Sequence, residues 1–366
     1  MATLIAVPAF DPFLAACWRD VVQRSDALPQ LERHVLLHAG PPFDGMPPAP
    51  VLNAAVQAAL FEGLAADAAT ARAMLSSGEL RLLPAQDYGM VTPLAQVVSA
   101  SMPLAVVGDT GTEAWAPLVE GPPPGLRFGS LAPEALARLR AMRELGLKRL
   151  KPLLRAQPVR LAPVVAQALA SGDECHARTG VANQALVAAL HGLSPDDHAA
   201  LSASPGFALT ILMAAACWRL RGQPEGIAAV GGNGLRFGLR LHGDRHWRSC
   251  PANAPQGTRL QGNDATLALG AIGDSAVLDF CGLGGQSLTA APALREEWRQ
   301  VLPPDLLQRN AATVDPVTGL VDFARVHASG QMPLVNLAIL GRDGNTGLIG
   351  RGCYMPDPAL FEAGMP

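Results

Sequence analysis

Aromatic residues are scarce in this chain of 366 residues, at 5%, and charged residues make up only 16%. The hydrophobic share is nevertheless 49%, so Ala, Leu and Val carry most of the apolar content. With 37 Gly and 32 Pro, the composition predicts compact Ala-rich helices, glycine-rich strands and many proline-defined turns. The chain is long enough to bury a large core and to form two or three domains or subdomains.

Long basic runs and paired cysteines are also missing. The formal net charge is −3, which argues against a nucleic-acid partner or an anionic membrane surface and favours small molecules or proteins as partners. The six cysteines include no C-x-x-C pair, so we expect reduced thiols in a cytoplasm rather than a zinc ribbon or disulfide framework. The most apolar internal run, residues 207–218, is too short for a membrane span and predicts a buried helix.

The amino-acid composition changes at two places along the chain. A Gly-Pro-Pro-Pro-Gly linker ends at Gly125, and glycine and β-forming residues become frequent from Gly226 onward. We therefore predict an α+β amino-terminal part at residues 1–125, a helical subdomain at residues 126–225 and a glycine-rich α+β carboxyl-terminal domain at residues 226–366.

Local patterns predict several individual elements. We expect a helix over residues 11–24, a short buried strand over residues 35–38 and an extended piece over residues 126–129. Residues 236–241 alternate as a strand does, and the Gly-Asp turn that follows predicts a return strand through Trp247.

The most polar internal segment, S-G-D-E-C-H-A-R-T-G-V-A-N, begins at Ser171 and lies between two apolar stretches. Ser171 followed by Glu174 fits a capping box and predicts that a helix begins there. On such a helix Asp173 and His176 share a face, and Glu174 pairs with Arg178. One interpretation is a polar face turned into a cleft; the alternative is a surface salt bridge with a hydrogen-bonded core histidine.

Two further stretches suggest chemistry. His38 is expected at the carboxyl end of its strand, where ligands often bind, although a turn-capping histidine is the alternative. Glycines between Gly273 and Ser287 predict backbone N–H groups that hold an anion, with tight turns as the alternative. His242 and His246 flank a turn, but without a third ligand they predict no metal site.

Seven short motifs lie in the order in which one known family has them: H-A-G-P-P at His38, S-A-S-M-P at Ser99, L-R-F-G at Leu126, G-D-E-C-H-x-R at Gly172, N-G-x-x-F-G at Asn233, G-D-S-A at Gly273 and G-L-G-G at Gly282. With these motifs the chain resembles the AllG/YlbE-like family, which includes a subunit of oxamate carbamoyltransferase from allantoin degradation.

The resemblance implies a mixed α/β body with an inserted helical bundle. It also implies partner subunits, one FdrA-like and one small, and transfer of a carbamoyl group between phosphate and the amide nitrogen of oxamate. No cofactor is expected, and a homo-oligomer is an open alternative. The chain departs from the family in two places: most of a Rossmann-like amino-terminal region is expected to be lost, and residues 84–88 replace a cluster of Cys and His.

This reaction assigns expected roles to individual residues. His176, oriented by Asp173 or Asp274, is the candidate general acid or base. The remaining candidates bind substrate: Gly284 and Gly285 for phosphate, Arg127 or Arg178 for the acceptor carboxylate, Asn233 for the carbamoyl oxygen, and His38 and Ser275 elsewhere in the site. The alternative is a binding or scaffold subunit that kept the cleft and lost the chemistry.

Overall fold

The structure is a computed structural model that describes residue 13, residues 15–204 and residues 206–362. Helices and several small, mostly antiparallel sheets alternate within these residues, which confirms the α+β class predicted from the sequence.

The strands are β1 Cys17–Gln23, β2 Val35–His38, β3 Arg81–Pro84, β4 Pro103–Gly108, β5 Glu113–Pro117, β6 Val159–Arg160, β7 Ile227–Asn233, β8 Arg236–Leu241, β9 Arg248–Pro251, β10 Gln256–Arg259, β11 Ile272–Gly273, β12 Val335–Leu340 and β13 Leu348–Tyr354. The helices are α1 Arg24–Ala27, α2 Ala49–Glu62, α3 Ala68–Ser77, α4 Pro133–Leu145, α5 Lys151–Ala156, α6 Leu161–Ala170, α7 Gly180–Ala188, α8 Pro195–Ser202, α9 Gly206–Arg221, α10 Ala276–Phe280, α11 Pro292–Glu297, α12 Leu306–Thr313 and α13 Phe323–Ser329.

The first sheet has the strand order β5-β4-β1-β6, and its pairs are antiparallel. The helix predicted over residues 11–24 is wrong where the structure describes it, because residues 17–23 form strand β1; residues 11, 12 and 14 lie outside the described residues. Trp18 and Val21 are fully buried on this strand, and pairing with β4 outweighs the local helical preference.

The predicted strand at residues 35–38 is confirmed as β2, which pairs in parallel with β3. Helices α2 and α3 connect the two strands, as a parallel pair requires. Helix α3 begins at Asp67, whose carboxylate accepts a hydrogen bond from the Thr70 N–H. Gly63 and Gly78 end the two helices in the left-handed conformation.

Helices α4–α9 lie between residues 133 and 221, with a π-helical turn between α4 and α5, the short strand β6 before α6 and an irregular loop before α7. The extended piece predicted over residues 126–129 is wrong: residues 126–128 form a 3₁₀ turn that ends at Gly129. The N–H of Leu126 donates to the Glu120 carboxylate, which bends the chain after the proline linker. The predicted buried helix is confirmed as α9, which is buried around most of its surface.

Among the described helices, none is long and apolar enough to cross a membrane by itself, although the bent pair α8 and α9 reaches that length and composition when taken together.

Two antiparallel sheets dominate the carboxyl-terminal part, with the orders β11-β7-β8-β9 and β10-β13-β12. A return strand pairs with β8, as predicted, but its predicted place is wrong: it is β9, which begins at Arg248, after the predicted end at Trp247. Trp247 lies outside the strand, and its indole N–H donates a hydrogen bond to the Asp87 carboxylate at 2.9 Å. One hydrophobic core takes residues from all three predicted regions, from Val21 through Phe207 to Val335. The predicted domain boundaries at residues 125 and 225 therefore stay predictions that rest on the change in amino-acid composition.

Candidate functional site

The polar segment after helix α6 is an irregular loop, and the predicted helix start at Ser171 is wrong. Ser171 follows the last residue of α6, and the next helix, α7, begins only at Gly180. The acid that stabilises the start of α7 is Asp173, which accepts hydrogen bonds from the N–H groups of Val181 at 2.7 Å and Ala182 at 3.2 Å. The shared helical face of Asp173 and His176 therefore does not exist.

Glu174 folds the same loop from the inside. Its carboxylate accepts hydrogen bonds from the Ala177 N–H, from the Arg178 N–H at 2.9 Å and from the Asn336 side chain at 2.9 Å. The predicted pairing of Glu174 with Arg178 is thus made through the Arg178 backbone. Burial raises the pKa of Glu174, although these hydrogen bonds and the charge of His176 act in the opposite direction.

His176 is oriented by Asp279, which the sequence did not predict, and neither Asp173 nor Asp274 takes that part. Nδ1 of His176 lies 2.7 Å from Oδ2 of Asp279, and both side chains are buried. Burial by itself lowers the pKa of His176, but the charge and hydrogen bond of Asp279, together with the charge of Glu174, raise it above its usual value.

The two glycines predicted to bind phosphate make hydrogen bonds within the chain, and only Gly285 contacts a carboxylate, that of Asp279. Gly285 N–H donates to Oδ1 of Asp279 at 2.7 Å, while Gly284 N–H donates to the Glu174 carbonyl oxygen at 2.8 Å. Gly284 has a φ of +52°, and a Cβ atom there would lie 2.2 Å from Oδ1 of Asp279. Both N–H groups are thus occupied within the protein rather than turned toward a phosphate.

A cavity of about 380 Å³ opens beside His176. Its walls come from the loops after β3, the start of α9, the start of α10 and the sheet β10-β13-β12. They are lined by Pro93, Leu94, Arg127, His176, Ala177, Gly206, Leu209, Thr210, Thr258, Leu260, Ser275, Glu297, Ala338, Leu348, Gly350 and Arg351. The structure therefore brings three predicted site residues, His176, Arg127 and Ser275, together at one cavity.

Arg127 is the cation buried deepest in the cavity wall, with 7% of its surface exposed. Its Nη2 donates to the Gly121 carbonyl oxygen at 2.5 Å and its guanidinium lies 4.4 Å from the Phe128 ring centre, whereas Nη1 has no hydrogen-bond partner among the described residues. Burial lowers the pKa of Arg127, while the charge of Glu120 raises it. A buried guanidinium N–H without a partner is a favourable place for a ligand oxygen.

The mouth of the cavity carries an ion pair. Arg351 binds the Glu297 carboxylate in a fork, at 2.8 Å through Nη2 and 3.3 Å through Nε. Burial raises the pKa of Glu297, but the hydrogen bonds of Arg351 and Thr258 and the charges of Arg351 and Arg178 bring it below its usual value. Arg178 is not part of the cavity lining, although it directly follows Ala177, which is.

The other predicted residues lie outside the cavity lining. Asp274 is fully buried and accepts hydrogen bonds from Gly40 N–H at 2.8 Å, Thr92 N–H at 2.8 Å and the Gln86 side chain at 2.6 Å. Burial raises the pKa of Asp274 to about 7, against the effect of these hydrogen bonds. Asp274 thus connects residues of the amino-terminal part of the chain to Ser275, the next residue, which lines the cavity.

His38 and Asn233 are also used within the fold. Nδ1 of His38 lies 2.8 Å from the Ala39 carbonyl oxygen, its ring stacks on Phe43, and burial lowers its pKa to about 4. Asn233 donates to the Pro41 carbonyl oxygen at 2.9 Å and accepts from two N–H groups of the turn that follows β7. This amide holds a turn, which leaves its predicted role as an oxyanion donor without support from the geometry.

Residues 84–88, where the resemblance leads to a Cys and His cluster, contain the end of β3 and a 3₁₀ turn. Gln86 in this turn binds both Asp274 and the backbone of Val230. Within the described residues, no group of three or more His, Cys, Asp or Glu side chains is arranged to hold a metal ion.

Three residues of the site had no prediction: Asp279, Glu297 and Arg351. A signal for Asp279 was present, since a glycine turn with free N–H groups needs an anion and Asp279 is the acid nearest to that turn in sequence. Glu297 and Arg351 lie on a short helix and a strand that meet only in the folded chain, and no local pattern marks them.

The fold and site define an α+β protein with a small, largely apolar cavity into which Arg127, His176, Glu297 and Arg351 bring polar groups. Residues 80–275 match the family model described as oxamate carbamoyltransferase subunit AllG. The chain is 32% identical over 397 residues to oxamate carbamoyltransferase subunit AllG of Escherichia coli (strain K12), which covers 94% of this chain and 92% of that protein. The chain therefore belongs to the AllG family.

Two further proteins are similar to this chain over most of its length. The uncharacterized protein YahG of Escherichia coli (strain K12) is 29% identical over 376 residues, covering 93% of this chain and 80% of YahG. The crystal structure of a conserved protein of unknown function from Enterococcus faecalis V583 matches with a TM-score of 0.83 and 27% identity, over 97% of this chain and 94% of that one. The matches cover 92% of AllG and 94% of the Enterococcus faecalis protein, so the expected loss of most of an amino-terminal region is not seen relative to these two proteins.

Proposed function

We propose that this chain is a carbamoyltransferase subunit whose cavity at His176 binds a small carboxylated amide such as oxamate together with phosphate. The proposed reaction moves a carbamoyl group between phosphate and the amide nitrogen, as the resemblance to a subunit of allantoin degradation suggests. The single observation that carries the proposal is the meeting of His176 and Arg127 at one cavity, since an anion clamp and a proton-transferring group are the minimum for this chemistry.

Arg127 is proposed to bind the carboxylate of the amide. Its Nη1 has no partner among the described residues, and its guanidinium presents a planar fork that matches a carboxylate. Helix α9 begins at Gly206 beside Arg127 and also lines the cavity, so the positive end of its dipole adds to the same potential. A buried cation with a free N–H next to a helix start favours a ligand anion over water.

Phosphate is proposed to bind on the side of the cavity that Arg351 lines. Arg351 shares its charge with Glu297, and Arg178 directly follows Ala177 of the cavity wall. This assignment replaces the glycine loop as the proposed phosphate site, because the N–H groups of Gly284 and Gly285 are occupied. The hydroxyl groups of Ser275 and Thr258 line the cavity and supply the hydrogen bonds expected for the carbamoyl oxygen.

The proposed enzyme is a complex of several subunits in the cytoplasm. The relative in Escherichia coli is named as a subunit, and the AllG/YlbE-like resemblance implies an FdrA-like partner and a small third subunit. The cavity is open to solvent on one side, so a partner chain can close it and exclude water from the transfer step. The proposed chemistry uses no cofactor.

The experiment uses the complex reconstituted with its partner subunits. Wild type is expected to form carbamoyl phosphate from oxalurate and phosphate, and His176→Ala to lose more than about tenfold in turnover because the proton-transferring group is gone. His191→Ala, which changes an exposed histidine, is the matched control and is expected to keep wild-type turnover. Wild-type turnover by His176→Ala would reject the proposal.

A binding subunit without chemistry is the second candidate, favoured by the replacement of the Cys and His cluster by residues 84–88. Gln86 fills that place with a structural hydrogen-bond network. This candidate predicts that oxamate or phosphate binds the chain while the full complex shows no turnover. Turnover that depends on His176 would exclude it.

A further inference from the structure

We infer that Asp279 is the positioning residue that holds the proton of His176 on Nδ1 and presents Nε2 to the cavity as the proton-transferring atom. This inference rests on the proposed function and deepens it, because it states which ring nitrogen meets the substrate and which way the proton moves.

Asp279 is fixed on both of its carboxylate oxygens. Oδ2 lies 2.7 Å from Nδ1 of His176, while Oδ1 accepts hydrogen bonds from Gly285 N–H at 2.7 Å and Asn336 N–H at 2.9 Å. These partners come from three separate segments, the 171–179 loop, the glycine turn and strand β12, and Asp279 is fully buried among them. The carboxylate therefore has no freedom to turn away from the imidazole.

An ionised carboxylate only accepts hydrogen bonds, so the Nδ1 that meets Oδ2 must donate. The neutral imidazole then carries its proton on Nδ1 and leaves Nε2 as an acceptor. Since His176 lines the cavity and its Nδ1 is engaged by Asp279, Nε2 is the nitrogen available to a bound molecule.

The charged groups around His176 favour its cationic form. Asp279 and Glu174 act on it from the protein side, and Glu174 is held by the Asn336 side chain, whose backbone N–H also holds Asp279. Arg127, Arg351 and Glu297 also line the cavity, and Arg178 directly follows Ala177 of its wall. The two carboxylates dominate, and the pKa of His176 lies above its usual value even though burial opposes the charge.

A readily formed imidazolium suits the cleavage direction of the proposed reaction. An oxygen of hydrogen phosphate attacks the carbamoyl carbon of the substrate, and the bond from that carbon to the amide nitrogen breaks. The leaving nitrogen takes the proton from Nε2 of His176, and His176 recovers the proton that the hydrogen phosphate gives up. Atoms and charge balance as oxamate and carbamoyl phosphate, and in the reverse direction the same Nε2 removes the proton from oxamate.

The wild-type chain gives the first test without any substitution. Histidine is labelled with ¹⁵N, the His176 signals are assigned by their loss in His176→Gln, and the tautomer is determined from the nitrogen shifts at a pH above its pKa. We expect the proton on Nδ1. A proton on Nε2 would overturn the inference.

The second test is Asp279→Asn, which replaces one carboxylate oxygen by an amide NH₂ group. An amide NH₂ at the Oδ2 position would point a donor at Nδ1 of His176, and at the Oδ1 position it would face the backbone N–H donors. We expect the pKa of His176 to fall, since a charge and a charge-assisted hydrogen bond that raise it are lost. The alkaline limb of turnover by the reconstituted complex should move to lower pH, with turnover at neutral pH reduced more than about tenfold. An unchanged His176 pKa would contradict the inference.

The matched control is Asp343→Asn, because Asp343 also accepts two backbone N–H groups, at 2.9 and 3.0 Å, but in an exposed turn. We expect it to leave the His176 pKa and turnover unchanged. The two levels of the account fail separately: a complex without carbamoyl transfer rejects the proposed function, while the tautomer and pKa of His176 test the role of Asp279 on their own.

Discussion

His176 and Asp279 are 103 residues apart in sequence, yet their side chains meet at 2.7 Å in the protein interior. The contact requires that the 171–179 loop, the glycine turn and strand β12 converge on one carboxylate. The backbone of Gly284 passes so close to that carboxylate that any side chain there would collide with it. The site is therefore built into the core of the fold.

The close approach predicts a large cost for Gly284→Ala. The new Cβ would lie 2.2 Å from Oδ1 of Asp279 and 3.0 Å from Cβ of His176, and the φ of +52° disfavours any residue with a Cβ. We expect the free energy of unfolding to fall by about 2–4 kcal/mol, measured by urea denaturation.

The Gly330→Ala variant measures the cost of backbone strain at a positive φ without a steric clash of the new Cβ atom. Gly330 also has a positive φ, +66°, but no atom lies within 4 Å of its Cβ position. We expect this variant to lose only the backbone term of about 1–2 kcal/mol. Equal costs for the two variants would show that Gly284 does not pack against Asp279.

Arg127→Lys tests the proposed carboxylate clamp. Lysine keeps the positive charge but lacks the planar fork, so the affinity for oxamate measured by calorimetry is expected to fall by about tenfold or more. Arg299→Lys is the control, because Arg299 is largely exposed and lies outside the cavity lining. Equal oxamate affinity in wild type and Arg127→Lys would remove Arg127 from the site.

Asp274→Asn predicts a change in the pH dependence of stability. The pKa of Asp274 is raised to about 7 in the folded chain from an ordinary value of 3.8. Between these values the folded state binds the proton and the unfolded state releases it, so the wild type loses free energy of unfolding as pH rises toward 7. The Asp274→Asn variant has no titrating group at this position, so its free energy of unfolding does not fall for this reason.

The stability advantage of wild type over Asp274→Asn should therefore shrink between pH 5 and pH 8, as followed by urea denaturation at each pH. An advantage that grows with pH would mean that Asp274 is ionised in the fold.

The free energy of unfolding of wild type relative to His176→Gln is also expected to fall as pH rises. The raised pKa of His176 stabilises the folded state below about pH 6.5, and this contribution is lost as pH rises through the pKa of the folded protein.

Elements whose preferences are local were predictable from the sequence. Strand β2 and the buried helix α9 follow directly from their composition. Strand β1 was missed because its conformation depends on pairing with β4, which begins eighty residues further along the chain. Local propensity cannot weigh such a partner.

The candidate site shows the same division. His176 and Arg127 were identified as residue types that the chemistry needs, and both line the cavity. The S-x-x-E pattern at Ser171 predicted a helix because it is a local signal, whereas Glu174 is held by Asn336 from the far end of the chain. The proximity of Asp279 to the glycine turn is visible in the sequence, but its contact with His176, 103 residues away, is not marked by any spacing.

The central claim is that the cavity at His176 and Arg127 binds an oxamate-like acid and phosphate, and a thermal-shift series on the purified chain tests it most directly. Ligand that binds only the folded state adds about 2.7 kcal/mol at a hundredfold excess over Kd, which raises Tm measurably. We expect oxamate, oxalurate and phosphate each to raise the Tm of wild type, and oxamate to lose its effect in Arg127→Lys while Arg299→Lys behaves as wild type. Shifts of the same size in Arg127→Lys and wild type, or no shift with any of the three ligands, would contradict the account.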